Sequence, residues 1–257
     1  MVESNAVTFV ALGGLPEIEP GADLAALILA ALRAQAVRLG DPAVIVVAQK
    51  IVSKAEGRFV ELAGVAPSAE AQRLAQVTGK DPRLVEVVLA ESEEVVRAAP
   101  HVLIVRHRLG FVVANAGVDR SNVPRAGAGE RVLLLPRDPD ASAAALRANL
   151  AHALGAKVAV IITDSFGRPW RRGVTHVALG CAGLPSLVDR RGECDREGRA
   201  LEVTEVALAD AIACGAGLVM GEAAESTPVV VAQGLRWSAS ERPGAALLRP
   251  KQEDLFR

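Results

Sequence analysis

Residues 158–163, VAVIIT, form an apolar, largely β-branched run with no polar interruption. A strand with one face in water alternates, so a run of this kind predicts a strand covered on both faces, which requires layers packed on either side of a sheet and points to an α/β fold. The run ends abruptly. Asp164 and Ser165 follow, Gly167 and Pro169 are expected to break any regular continuation, and Arg168, Arg171 and Arg172 gather three cations nearby. Ligands in α/β proteins collect at strand ends, where loops aim side chains without disturbing the core. A carboxylate with three guanidiniums beside it points to a metal ion and phosphates.

At 257 residues the chain can bury a sizeable core without staples. Aromatic residues make up only 3% and Tyr is absent, so Ala, Val and Leu have to fill that core. The net charge of −1 gives no general pull toward nucleic acid or an anionic membrane surface, so any anion site has to be local. Cys181, Cys194 and Cys214 form no Cys-x-x-Cys pair; neither a zinc cage nor a disulfide framework is signalled, and free thiols in a reducing cytoplasm are expected. No basic leader precedes an apolar core at the start of the sequence, and no apolar run approaches the roughly 20 residues that span a bilayer. The expected location is cytoplasmic.

Along the chain, residues 7–12 read as a short strand and Asp23 as the N-cap of an Ala-rich helix over 24–39. A second buried strand, 43–48, is followed at once by Gln49, Lys50, Ser53 and Lys54. Lysines at strand ends are usually solvated, and only the polar crowd beside an apolar strand adds a phosphate contact to that ordinary reading. Residues 68–77 and 81–97 show helical spacing, and 101–105 with 110–114 read as a hairpin. His101 and His107, at its edges, lack metal-ligand spacing, so an exposed or packing role is expected for each. The hairpin delivers NAGVDRSNV, in which Asp119 is either an Asx cap, the commoner use of an Asp in a turn, or a second carboxylate at a strand end, and Asn122 offers an amide. Gly127, Gly129 and Glu130 lead into a strand over 131–136, and Asp138 and Asp140 open a helix over 141–154 in a structural role. Beyond the arginines, 176–181 is apolar, 189–198 is turn-rich, 201–215 is helical in spacing, 217–221 reads as a short strand and 228–232 as the last clear one.

Collected at these strand ends are Asp119, Asp164, Ser165 and Glu222 as oxygen ligands, with Lys50, Lys54, Arg168, Arg171 and Arg172 as phosphate partners. That inventory suits phosphoryl transfer from a nucleoside triphosphate with a divalent metal. Neither a Gly-x-x-x-x-Gly-Lys-[Ser/Thr] loop nor a Gly-x-Gly-x-x-Gly fingerprint occurs, and Ser165 stands in Asp-Ser-Phe-Gly, not in a nucleophile elbow. Residue chemistry alone carries the reading to metal and phosphate.

The words GGLPEI, VVAQKIVSKAEGR, NAGVDRSNV, ITDSFGRPWRRG and GEAAES, in that order and over residues 15–237, resemble the coenzyme F420-0:L-glutamate ligase family, also called the F420 gamma-glutamyl ligases. The resemblance implies a mixed α/β (α+β) fold of the family's own kind, assembled as an interlocked homodimer. It implies a GTP-dependent ligase that joins L-glutamate to the deazaflavin precursor F420-0, or to its dehydro form, and then adds further glutamate through the γ-carboxylate, each time by way of an acyl phosphate. Two divalent ions, Mg²⁺ or Mn²⁺, and an additional K⁺ belong to the same expectation. Carried over by position, Asp119 and Asp164 match ligands of the first metal, with Ser165 and Glu222 on the second. Leu15, Pro16, Glu17, Ile18, Gln49, Lys50, Lys54 and Asn122 match nucleotide-contacting stretches, as do Met220, Gly221, Glu222, Ala223, Ala224, Glu225, Ser226 and Thr227. Arg168 joins Asp119 and Asp164 as a catalytic candidate. Some relatives carry Gln at the position of Glu222, so an anionic side chain there alters the local charge. RPKQEDLFR at the end resembles the linker to a flavin-binding domain in longer bacterial relatives, which sets a ligase domain at 1–240 and a tail or linker remnant at 241–257. Two competing readings remain at this point: a ligase or phosphotransferase acting on another carboxylate, and a deazaflavin-binding module without turnover.

Overall fold

A computed structural model of the chain describes residues 6–123, 130–237 and 240–254. Gly127 and Gly129, expected to lead into a strand, lie outside the described residues, as do the last three residues of the tail motif. The chain opens with β1 (Thr8–Leu12) and α1 (Leu24–Ala34), then β2 (Ala43–Ala48), which passes directly into α2 (Gln49–Ala55). After β3 (Phe59–Glu61) come α3 (Ala69–Thr78), α4 (Pro82–Ala90) and a meander of β4 (Ser92–Ala99), β5 (Val102–His107) and β6 (Val112–Ala114). β7 (Arg131–Leu133) and α5 (Pro139–Leu154) lead to a long hairpin, β8 (Val158–Arg168) and β9 (Arg171–Ala182). The remaining elements are β10 (Leu187–Asp189), β11 (Glu205–Ala207), α6 (Leu208–Met220) and β12 (Val229–Gln233).

The main sheet has the order β1-β12-β2-β8-β9, with β2 and β8 parallel and the other neighbours antiparallel. This is a mixed α/β fold, as expected. The run from 158 to 163 is buried throughout, and its side chains divide by alternation. Val158, Val160 and Ile162 pack with Ile28, Leu32 and Leu146 of α1 and α5, whereas Ala159 and Ile161 pack with Ile212, Ala213 and Ala216 of α6. Each fully buried Val or Ile contributes about 1.5–3 kcal/mol. A second core, built on Leu74, Val85, Val88, Leu103 and Val132, fills the lobe made by α3, α4 and the β4–β6 meander.

The helix starts are capped as their sequences predict: Asp23, Ser68 and Asp138 accept hydrogen bonds from the backbone N–H groups of Ala26, Ala71 and Ala141. Asp140 goes further. Its carboxylate accepts from Cys181 N at 2.9 Å, Gly244 N at 2.6 Å and Ala245 N at 3.1 Å, tying the C-terminal segment to β9. Lys251, 2.8 Å from Glu94, carries that segment on to the second lobe. Among the described residues, no helix is long and apolar enough to cross a membrane.

Five expectations are corrected. The first helix stops at Ala34, where Gln35 turns back to Gly13 O and Ala36 takes a left-handed φ of 51°. The helical spacing over 81–97 ends at Ala90, and Ser92 onward is strand with two register shifts; pairing with β5 overrides the local pattern. Residues 205–207 are strand and 208–220 helix, so both a helix from 201 and a strand over 217–221 are replaced. Gly215 and Gly217 lie inside that helix because a Cβ on either would stand 2.4 Å from the ring of Phe9 or His176. Finally, β8 does not break after Ser165 but pairs with β9 as far as Arg168.

The two lobes are joined through a buried charge cluster. Glu91, at the C-terminus of α4, accepts from Arg58 at 2.8 Å and pairs with Arg108 at 2.9 Å, while Arg58 also donates to Leu135 O. Leu109 N donates to His107 Nδ1, so the ring proton sits on Nε2, 3.5 Å from the same carboxylate. Burial opposes the Glu91 charge, but His107, Arg58 and Arg108 outweigh it and hold the carboxyl below its usual range. Its contribution to stability is therefore present above the unfolded carboxylate pKa and is lost on acidification. Glu91→Ala leaves the buried Arg58 guanidinium without its carboxylate and is expected to cost about 3–5 kcal/mol in urea unfolding at neutral pH. A loss below about 1 kcal/mol would show the cluster to be solvated and incidental.

Candidate active site

Strand register brings four separated segments to one edge of the main sheet. Leu12 pairs with Val229, Val229 with Val47, and Val47 with Ile162, so the residues just beyond this row share an edge. Those residues are the segment after β1, the start of α2, the exit of β8 and the loop before β12. A register shift between Ile162 and Thr163 falls immediately before Asp164, where an irregularity re-aims the following side chains. The second lobe adds the turn after β6, which carries Asp119.

Together these segments enclose a cavity of about 530 Å³. Leu15, Pro16, Glu17 and Ile18 line one wall, with Gln49, Lys50 and Lys54 from α2 beside them. Asp119, Ser121 and Asn122 face Thr163, Asp164, Ser165 and His176, and the loop from Met220 through Gly221, Glu222, Ala223, Ala224, Glu225, Ser226 and Thr227 closes the rest. The ligand and phosphate-contact residues named from the sequence are on this surface except Arg168, Arg171 and Arg172. Arg168 lies exposed at the far end of the β8–β9 hairpin, where it donates to Arg172 O at 3.2 Å. Because β8 continues past Asp164, Arg168, Arg171 and Arg172 are carried away from the cavity, and the expected cluster of guanidiniums around Asp164 does not form within the chain.

Asp119 uses its two oxygens differently. Oδ1 accepts from Ser121 N at 2.7 Å and Ser121 Oγ at 2.8 Å, the Asx turn that its position suggested; Oδ2 is 2.7 Å from Lys50 Nζ. Lys50 also donates to Ser121 O and Oγ, so it pins the turn to the start of α2. Asn122 donates to Ala223 O at 3.2 Å and joins that turn to the loop before β12. Within the loop, Glu225 accepts from Ala223 N and Thr227 donates to Met220 O. Lys54, buried, is paired with Glu17, and Gln49 accepts from Ser53 Oγ within α2.

Asp164 is the electrostatic centre. Burial, and then the charges of Asp119 and Glu222, push its carboxyl up to about 7 against the opposing pull of the Ser165 backbone N–H and Lys50. Carboxylates crowded in this way, with a serine hydroxyl beside them, form a donor set for a hard cation. No three or more His, Cys, Asp or Glu side chains among the described residues converge as a metal-binding group. The fit is therefore to an ion held by one or two carboxylates and completed by waters and substrate oxygens, the usual mode for Mg²⁺.

His176 was not singled out in the sequence, where it only opens an apolar stretch. Its place comes from pairing: it lies opposite Ser165 across the hairpin, buried, with Nε2 3.2 Å from Glu222 Oε1. His107, in contrast, is a packing residue of the Glu91 cluster, and His101 sits exposed in a turn.

The fold and this cleft define an α/β enzyme whose acidic, lysine-fringed site lies at a sheet edge. The chain belongs to the F420-0:gamma-glutamyl ligase family, whose model matches residues 14–234. Similar proteins include the coenzyme F420:L-glutamate ligase of Methanothermobacter thermautotrophicus, 45% identical over 98% of this chain and 99% of that protein. The protein of that name from Methanopyrus kandleri is 45% identical over 96% of this chain and 100% of its own length, and the one from Halobacterium salinarum is 48% identical over 86% and 84%.

The raised Asp164 pKa has a consequence for stability. A folded carboxyl that holds its proton more tightly than the unfolded one contributes stability that is complete below the unfolded carboxylate pKa and is lost progressively as the pH rises from there through about 7. Asp164→Asn keeps the shape and cannot ionise, so it is expected to raise the melting temperature of the metal-free protein clearly more at about pH 8 than at about pH 5, where the folded carboxyl still holds its proton. An equal change at both pH values would show that the carboxylate is not desolvated.

Proposed function

We propose that this ligase joins L-glutamate to coenzyme F420-0, or to its dehydro precursor, with GTP as the energy source, and then extends the product through γ-linked glutamate. Support comes from family membership together with one structural observation: Asp119, Asp164, Ser165 and Glu222 share a cavity with Lys50 and Lys54. In this proposal the γ-phosphoryl group of GTP passes to the acceptor carboxylate, giving an acyl phosphate and GDP. The amine of glutamate then attacks the acyl carbon, phosphate departs, and the amine loses a proton as the amide forms. An amine does not displace hydroxide from a carboxylate, whereas phosphate is a competent leaving group.

Asp119 and Asp164 are the residues to hold a first divalent ion, and Ser165 and Glu222 a second. Mg²⁺ or Mn²⁺ at these residues would supply neutralisation of the triphosphate charge. Lys50 and Lys54 would contact phosphates, Asn122 and the 220–227 loop the nucleoside, and Leu15–Ile18 the opposite wall. K⁺ as a further ion is part of the same proposal. So is a homodimer in the cytoplasm, in which a second copy covers the hairpin that leaves Trp170 87% and Val174 54% exposed.

The test is incubation with GTP, Mg²⁺ or Mn²⁺, L-glutamate and F420-0, followed by mass measurement. Products longer by one or more glutamates, with matching GDP release, are expected. GDP release that requires a different acceptor would favour a ligase for another carboxylate, and deazaflavin binding without turnover would favour a binding module.

Lys54→Ala removes a charge-assisted phosphate contact and is expected to raise the KM for GTP roughly tenfold or more, with a smaller effect on the KM for glutamate. An unchanged GTP dependence would return Lys54 to a purely structural pairing with Glu17.

A further inference from the structure

We infer that His176 is a positioning residue of this site, holding the Glu222 carboxylate toward the floor of the cleft where Asp164 stands. The inference rests on the proposed cation-assisted role of Glu222 and adds a residue to it.

His176 is 7% exposed and lines the cavity, yet its Nε2 is buried and makes no hydrogen bond among the described residues. Glu222 Oε1 lies 3.2 Å away, within ion-pair reach but without hydrogen-bond alignment. The placement of the ring proton follows from its neighbours. Thr163 Oγ1 is committed to Val177 O at 2.8 Å and stands 3.5 Å from His176 Nδ1, too far to draw the ring proton to that side. A bare Nε2 would aim its lone pair at a carboxylate. The ring therefore carries hydrogen on Nε2, the atom that faces Glu222.

The ring is fixed from both sides. It stands opposite Ser165 on β8, and on the other flank α6 supplies Gly217, where a Cβ would fall 2.4 Å from His176 Cδ2. α6 ends at Met220 and leads straight into Gly221 and Glu222, so the element that makes room for the ring also delivers its partner. Glu222 has no comparable restraint of its own: its side chain is half-exposed, and His176 is its ion-pair partner among the described residues. Half in solvent already, Glu222 released from His176 would turn toward water.

The experiment is a double-mutant cycle on the full chain, with Mn²⁺ as the probe in the presence of GDP, read as bound ion by electron paramagnetic resonance. His176→Leu, which fills the space without a donor, is expected to weaken Mn²⁺ binding roughly tenfold while GDP affinity stays within about twofold. His176→Gln, which keeps an N–H near Nε2, is expected to recover most of the loss. In a Glu222→Gln background, His176→Leu is expected to have no further effect. His176→Asn, too short to reach Glu222, repeats the cycle if His176→Leu does not fold. Additive losses, no loss in either short or apolar variant, or no Mn²⁺ binding by the unmodified chain would each overturn the inference. Because the readout is ion binding, it separates from the ligase proposal: a chain that shows coupling but makes no glutamylated product refutes only the substrate, and one that ligates without coupling refutes only the role of His176.

Discussion

Asp119, Asp164 and Glu222 are brought together in one confined cleft, and the cost of burying and crowding them is the constraint that the rest of the structure answers. Each has local compensation: Lys50 and the Ser121 donors for Asp119, the Ser165 backbone N–H and Lys50 for Asp164, and His176 for Glu222. Burial and, after it, the charges of Asp119 and Glu222 outweigh the compensation at Asp164, which holds its proton up to about pH 7. Such an arrangement survives only because the backbone that carries it is fixed elsewhere. β2 and β8 are buried on both faces, so the exits that bear Lys50 and Asp164 cannot separate without exposing a core that contributes far more than the local repulsion costs.

Asp119 is the member that the main sheet does not carry. It comes from the second lobe, and its distance from Asp164 depends on how the lobes are held together. Behind the cleft, Arg58 follows α2 and reaches Glu91 and Leu135, so the helix that presents Lys50 and Lys54 is tied to the second lobe by buried charge. At another point the C-terminal segment bridges the lobes, with Asp140 binding Gly244 and Ala245 at one end and Glu94 binding Lys251 at the other. Fixing the cleft from outside leaves its own side chains to join the cleft segments to one another: Asp119 gives one oxygen to an Asx turn and the other to Lys50.

What the sequence made legible follows the same division. Residues 43–48 and 158–163 announce buried strands by unbroken apolar character, and Asp23, Ser68 and Asp138 announce helix starts, because these signals are local. The convergence of Asp119, Asp164 and Glu222 was legible only through whole motifs, since nothing in spacing says which strand ends share an edge. Misreadings arose where a partner far along the chain decides. Val95 and Val96 continue a helical pattern, yet pairing with β5 makes them strand. Gly215 and Gly217 suggest a break in a helix, yet they are small because Phe9 and His176 press against them. Gly167 and Pro169 suggested the end of β8, yet β9 pairs alongside it to Arg168. His176 escaped notice because a lone histidine at the head of an apolar run carries no signal until its cross-strand neighbour is known.

The displacement of the arginines changes the charge balance of the site and with it the chemistry the site can support. Glu17, Asp119, Asp164, Glu222 and Glu225 line the cavity against only Lys50 and Lys54 among the described residues. A triphosphate brought into such a cleft meets more negative than positive charge, and at cleft dielectric the mismatch is far larger than it would be in water. Guanidiniums beside Asp164 would have removed that difficulty and left the carboxylates to ordinary ion pairs. Without them, Coulomb repulsion favours phosphate entry only in company with cations, and the same cations would release the proton that Asp164 retains. Nucleotide and metal would then bind as a single event, each relieving the repulsion that excludes the other.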